Sequence, residues 1–294
     1  MKIIDENKIT EEIVEKKSTR KKIEIYDFLL FSMLIINIMS IMGYATFSLN
    51  PSLLAKFPET VTIFNYSYYF FSRTQIIISF LALAFLFHKK YKYSWVKDFS
   101  FVFAISLFLE WLGTSFGIPF GKYEYTDLLG WKILDRVPYL IPISWFFMSV
   151  SSYCISLKLG EKIDFRNKFL RSFFNIIIAS VFLTSWDLTL DPAMSNLTPF
   201  WIWEKHNSLN YFGTPIVNFW GWFFTAFLIM TGFELIKTER LLDKQDIIWN
   251  IKFYFANLSL PVGIVVFSGL YSPVFITLIV FSLMYGFSFL LSKK

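Results

Sequence analysis

The stretch "SFFNIIIASVFLTSWDLTLDPAM", residues 172–194, is an apolar run of bilayer-spanning length that closes on two aspartates, Asp187 and Asp191. A helix needs about 20 apolar residues to cross hydrocarbon. An ionisable group at mid-bilayer costs about 2.5–3.5 kcal/mol on insertion scales. Two carboxylates one helical turn apart in such a run therefore point to a polar purpose inside a membrane protein.

The rest of the chain supports the membrane reading. Of its 294 residues 55% are apolar and 21% aromatic, with 37 Phe, 15 Tyr and 10 Trp, above the roughly 45–50% apolar content of soluble domains. Apolar runs recur at about 28–47, 66–87, 99–116, 138–157, 172–190, 213–236, 253–270 and 273–291. They predict an all-α fold: a polytopic membrane helix bundle of about eight transmembrane helices. Residues 28–294 then form a single transmembrane domain, preceded by a charged arm, 1–27, with seven basic and seven acidic residues. The arm lacks the apolar core and small-residue cleavage site of a signal peptide. The single cysteine, Cys154, lies within an apolar run, so no intramolecular disulfide is available.

The net charge of +6 needs no nucleic acid to explain it, because the basic residues are sorted by loop. With a cytoplasmic N-terminus, 22 of the 28 Lys/Arg fall in cytoplasmic segments, leaving Lys56, Arg73, Lys122, Lys132, Arg136 and Lys205 outside. This bias follows the positive-inside rule and predicts both termini in the cytoplasm.

In that topology several polar residues share the extracytoplasmic half of the membrane. Glu110 closes the third span in "FLEWLGTSFGIPFGKYEY", Asp187 and Asp191 close the fifth, and Asn218 and Trp222 open the sixth in "YFGTPIVNFWGW". Arg73 lies some turns into the second. Each alone has a structural explanation, a helix cap or an Arg73–Glu110 ion pair. Together they hold more acid than one arginine can neutralise. On a helix, positions four apart are neighbours, and two carboxyls that close in low dielectric tend to share a proton. A carboxyl that keeps its proton is a general acid. Gly113, Gly117, Pro119 and Gly121 break the helix end next to Glu110; irregular backbone at membrane depth belongs beside a cavity. "DRVPYLIPISW" re-enters through Pro138 and Pro142, and Trp201 and Trp203 of "FWIWEKHN" fit an aromatic belt at the outer interface, with a roof over a pocket as the sharper alternative.

Other chemistries lack their parts. The two histidines, His88 and His206, fall in separate loops on opposite faces, which leaves no histidine-rich di-iron centre, no His/Cys zinc site and no Ser/His triad. No glycine-rich dinucleotide fingerprint follows a strand. The expectation is acid–base chemistry with no metal and no cofactor.

The ordered motifs "EWLGTSFGIPFGKYEY", "VPYLIPISW", "WDLTLDPAM", "WIW" and "YFGTPIVNFWGW" resemble the carotenoid biosynthesis membrane protein family. That family includes carotenoid 1,2-hydratases of the γ-carotene 1′-hydroxylase type and bisanhydrobacterioruberin hydratases. The resemblance covers roughly residues 99–236 and departs at Thr214 and Val217. It implies addition of water to a terminal isoprenoid double bond of an acyclic carotenoid, giving a tertiary alcohol, and a place beside other carotenoid-pathway enzymes. The substrate would be a rod about as long as the ~30 Å hydrocarbon core. Asp187 or Asp191 is then the expected proton donor, with Glu110 as second candidate. Arg73 is expected to balance residual charge, Tyr123, Tyr125, Trp186 and Trp222 to wall the cation, and Asn218 to position water. The alternatives are an intramembrane prenyltransferase of the lycopene elongase kind, a proton-coupled carrier, or a carotenoid-binding protein.

Overall fold

A computed structural model describes residues 23–204 and 209–292. The charged arm, apart from its last residues, and His206 lie outside them. Among the described residues eight helices are long and apolar enough to cross a membrane: α1 (Ile25–Ser48), α2 (Glu59–Tyr91), α3 (Val96–Phe116), α4 (Leu140–Gly160), α5 (Lys168–Leu197), α6 (Ile216–Ile236), α7 (Lys244–Phe267) and α8 (Ser272–Ser292). The chain is a multi-pass membrane protein. Each apolar run of the sequence became one helix, but α2 and α5 extend well past it at both ends and α7 starts nine residues before it. Polar residues such as Asn65 and Thr60 continue α2, because a helix end that leaves hydrocarbon needs no further apolar residues. His88 lies in the last turn of α2 and not in a loop.

Helix α4 is the hub, packing on α2, α3, α5, α6, α7 and α8. Its serines 149, 151, 152 and 156 and its apolar side chains Phe146, Phe147, Met148, Val150 and Tyr153 are all buried. By contrast α1 and α8 turn wide apolar faces outward, including Phe28, Phe31, Ile38, Phe275, Leu278 and Leu283. Such faces would aggregate in water; in a bilayer they are the surface that lipid wets.

Charge gathers at one end of the bundle. Lys90 Nζ lies 2.5 Å from Asp246 Oδ1 and 2.9 Å from Asp243 Oδ2, while Tyr91 donates to Asp246 Oδ2 at 2.8 Å, joining α2 to α7. Arg240 Nη2 donates to the buried Asp98 at 2.8 Å, with Thr238 on its other oxygen at 2.6 Å, joining α3 to the segment after α6.

The opposite end carries three two-stranded antiparallel ribbons that the sequence did not announce. Strand β1 (Tyr123–Tyr125) pairs with β4 (Trp201–Trp203), β2 (Lys132–Ile133) with β3 (Val137–Pro138), and β5 (Asn210–Tyr211) with β6 (Thr214–Pro215). The break after α3 makes the first of them possible. Gly117 caps α3 in the left-handed conformation, φ 76°, which favours glycine. The chain then folds back so that Phe120 sits against Gly221 of α6. A Cβ at Gly221 would lie 2.6 Å from Phe120 Cδ1 and 2.9 Å from the Phe120 Cα and the Pro119 carbonyl carbon.

Backbone on one side of that contact cannot rotate away. Gly221→Ala is therefore expected to destabilise the protein by about 1–3 kcal/mol, read as a lower unfolding temperature in detergent. Gly286→Ala, whose Cβ would meet nothing within 4 Å, is expected to leave that temperature unchanged or slightly raised; equal effects would show that the Phe120 contact is not close-packed.

Candidate active site

Strand alternation builds the site. In β1 and β4 the side chains of Tyr123 and Tyr125, and of Trp201 and Trp203, share the inner face, while Glu124 and Ile202 point out, Ile202 being 57% exposed. Register places Tyr123 opposite Trp203, ring centroids 4.9 Å apart, and Tyr125 opposite Trp201 at 6.0 Å. Four aromatic rings thus roof one end of the bundle, each with a polar handle directed inward.

The handles land on two buried carboxylates. Glu110 of α3 accepts from the hydroxyls of Tyr123 and Tyr125 (the latter at 2.8 Å) on Oε2, and from Trp145 Nε1 of α4 at 2.8 Å on Oε1. Asp191 of α5 accepts on Oδ1 from Trp203 Nε1 at 2.9 Å, Trp201 Nε1 at 3.2 Å and Thr214 Oγ1 at 3.1 Å. The Asn218 amide of α6 donates to Asp191 Oδ2 at 2.8 Å and to Asp187 Oδ2 at 2.7 Å, so one –NH₂ group bridges both aspartates. Burial and the neighbouring Glu110 push the hydroxyls of Tyr123 and Tyr125 well above the ordinary phenol range. Both therefore stay protonated and remain donors.

The two aspartates lie on one helical row, a turn apart. Trp186, Leu190 and Met194 recur every four residues beside them and line a cavity; Asp191 reaches its wall and Asp187 does not, although both meet Asn218 of α6. Asp187 is fully buried, and its Oδ1 has no hydrogen-bond partner among the described residues. After Asp191, Pro192 supplies no N–H and the helix widens into a π-turn, Pro192–Leu197, a device common at functional sites.

The cavity holds about 100 Å³. Glu110, Asp191 and Asn218 give its polar wall; Phe120, Trp145, Trp186 and Trp222 give its aromatic one. Trp145 and Trp222 stack at 4.2 Å with 27° between planes, and Trp186 meets Trp222 edge-on at 6.0 Å. Gln75 and Asn257, bonded to each other at 2.9 Å, add polar groups from α2 and α7. No Lys or Arg is among the described lining residues.

Two expectations are corrected. Arg73 does not pair with Glu110: its Nε donates to the Leu128 carbonyl at 3.0 Å and its Nη2 to the Asp127 carbonyl at 3.1 Å, with Tyr69 under the guanidinium at 5.2 Å. It clamps the turn that follows β1, and shared depth in the sequence was not contact. Trp201 and Trp203 are not an interfacial belt, because their indole N–H groups are committed to Asp191. Tyr123 and Tyr125 line the cavity as expected, yet their hydroxyls hold Glu110. Trp145 and Thr214 were missed as site residues, and Trp201 and Trp203 were weighed as a pocket roof only behind the belt reading. The aromatic alternation of "YEY" and "WIW" was the available signal, and Thr214 was one of the two departures from the family pattern.

A bisanhydrobacterioruberin hydratase from Haloarcula japonica is 29% identical over 127 residues, a match covering 43% of this chain and 40% of that protein. The chain thus aligns with less than half the length of this curated relative. No solved structure matches. The family described as carotenoid biosynthesis protein matches residues 71–284, a segment holding every carboxylate, tyrosine and tryptophan of the site. The chain belongs to the carotenoid biosynthesis protein family.

Proposed function

We propose that the protein is a carotenoid hydratase, adding water across a terminal isoprenoid double bond of an acyclic carotenoid end group. The observation that carries the reading is the pairing of two buried, donor-saturated carboxylates with an aromatic cavity that holds no basic side chain among its described residues. The likeness to a bisanhydrobacterioruberin hydratase supports it.

The chemistry assigns roles. An acid protonates the less substituted alkene carbon, leaving a tertiary carbocation; water attacks that centre, and the surplus proton passes to a base. Asp191 is the acid. Its Oδ1 already accepts three hydrogen bonds and its Oδ2 only one, so Oδ2 is the oxygen free to carry and deliver a proton. Glu110, held by three donors, is the base that receives the proton from water. Asp187 acts through Asn218, fixing its amide so that the carbonyl end can orient water. The stacked Trp145 and Trp222 and the edge of Trp186 offer π-faces to the cation. Ionising all three carboxyls here would carry a desolvation cost of several kcal/mol each, which favours one remaining protonated.

A prenyltransferase needs acidic clusters that hold Mg²⁺ against a diphosphate, usually with basic residues nearby; the sequence has no second Asp-rich motif and the described wall has no Lys or Arg, which disfavours that reading. The basic-residue bias supports a site in the extracytoplasmic half. A cysteine introduced at the outward-facing Glu124, with Cys154 buried, is then expected to react with an impermeant maleimide added outside intact cells; labelling only after lysis would invert the topology.

Expressed in a bacterium that accumulates lycopene, γ-carotene or a fifty-carbon anhydro precursor, the protein is expected to raise pigment mass by one water per reacting end. Asp191→Asn and Glu110→Gln are expected to lower turnover by about 10²–10⁴-fold, the range of general acid–base contributions. Asp187→Asn should cost less, about ten-fold, because it acts through Asn218. Wild-type turnover in both Asp191→Asn and Glu110→Gln would refute the assignment.

A further inference from the structure

A second cavity of about 330 Å³ adjoins the acid-lined one, and Ser72, Met194, Phe200 and Leu260 line both. It runs between the ends of α1 and α2 and against α7, and its rim residues Met39 and Ile63 are 52% and 67% exposed on the face that lipid would wet. Along its floor the rings of Phe47, Phe64, Tyr68 and Phe200 follow one another at centroid spacings of 5.8, 6.1 and 5.9 Å, the last pair nearly parallel at 15°. Phe200 precedes Trp201, whose indole reaches Asp191.

We infer that this second cavity is the binding channel for the hydrocarbon chain of a long linear polyene, entered sideways from the bilayer, with Phe200 and Met194 forming the neck before the acid chamber. The inference rests on the proposed hydration and gives the substrate its path. The acid chamber, at about 100 Å³, is too small to hold the whole of a rod comparable to the ~30 Å bilayer core, so the chain must leave it. The shared neck opens onto an apolar space floored by aromatic rings, whose faces suit a conjugated chain by dispersion and offset stacking.

Gly43 offers a direct test, because it lines this cavity and an added Cβ would meet no atom within 4 Å. Its backbone is ordinary right-handed helix, φ −60°, so a larger residue introduces no strain. The experiment uses full-length protein made in lycopene-accumulating cells, with pigment bound per protein read by absorbance and pigment mass read separately. It compares wild type, Gly43→Phe and, from the facing helix, Ser67→Phe. Both variants are expected to elute and unfold as wild type does while retaining about ten-fold less lycopene, the effect of overfilling by one to two kcal/mol. Lycopene hydration should fall at least in proportion. Equal retention in all three proteins overturns the channel and leaves hydration standing. Bound pigment of unchanged mass, with retention lost in both variants, overturns hydration and leaves the channel standing. A wild-type protein that retains no lycopene, or any other precursor it hydrates, also overturns the channel.

Discussion

A carboxylate placed in hydrocarbon must be surrounded by donors or neutralised, and this requirement organises one whole end of the protein. A buried ion costs several kcal/mol unless its lone pairs are filled, and a hydrogen bond to a charged group recovers about 1.5–3 kcal/mol. Here no cation does the work. Glu110 and Asp191 are instead met by phenol, indole, hydroxyl and amide groups, which bring apolar bodies along with their polar tips. The same side chains can therefore satisfy the acids and wall an apolar cavity. A lysine or arginine in their place would neutralise the acid and fill the chamber with charge.

The ribbon of β1 and β4 follows from this requirement. Four ring donors must reach two carboxylates on different helices, and a two-stranded ribbon with period-two alternation delivers them on one face. The ribbon needs the abrupt end of α3 at Gly117, the close seat of Phe120 against Gly221, and the Arg73 clamp on the carbonyls of Asp127 and Leu128. Thr126 N–H and the Phe200 carbonyl, 2.9 Å apart, tie its two strands beyond the pairing. Because Phe200 also forms the neck between the two cavities, the elements that roof the acids shape the route a chain would take to them.

The helices were legible in the sequence because each needed only a long apolar run, and a membrane imposes that length on every span. The acids were legible for the opposite reason: Glu110, Asp187, Asp191 and Asn218 stand out where polarity is costly. The partners of those acids were harder to see. Trp201 and Trp203 carry the same residue type whether they float at an interface or bond a buried aspartate, and only strand pairing decides between the two. Arg73 misled because depth along a helix says nothing about azimuth; its guanidinium faces the loop after β1. Asp187 and Asp191 looked equivalent at four-residue spacing, yet only Asp191, a turn further along the helix, reaches the cavity wall. Trp145 was hidden in a motif quoted for its prolines.

The central claim is that a protein carboxyl protonates a carbon–carbon double bond and water completes the addition. Running the reaction in D₂O measures that step directly. A proton taken from an exchangeable carboxyl becomes a C–H bond, so the hydrated pigment should carry one non-exchangeable deuterium per hydrated end, on the carbon next to the tertiary alcohol. A hydroxylated product without that deuterium would mean that the new carbon–hydrogen bond was never made, and would contradict the account.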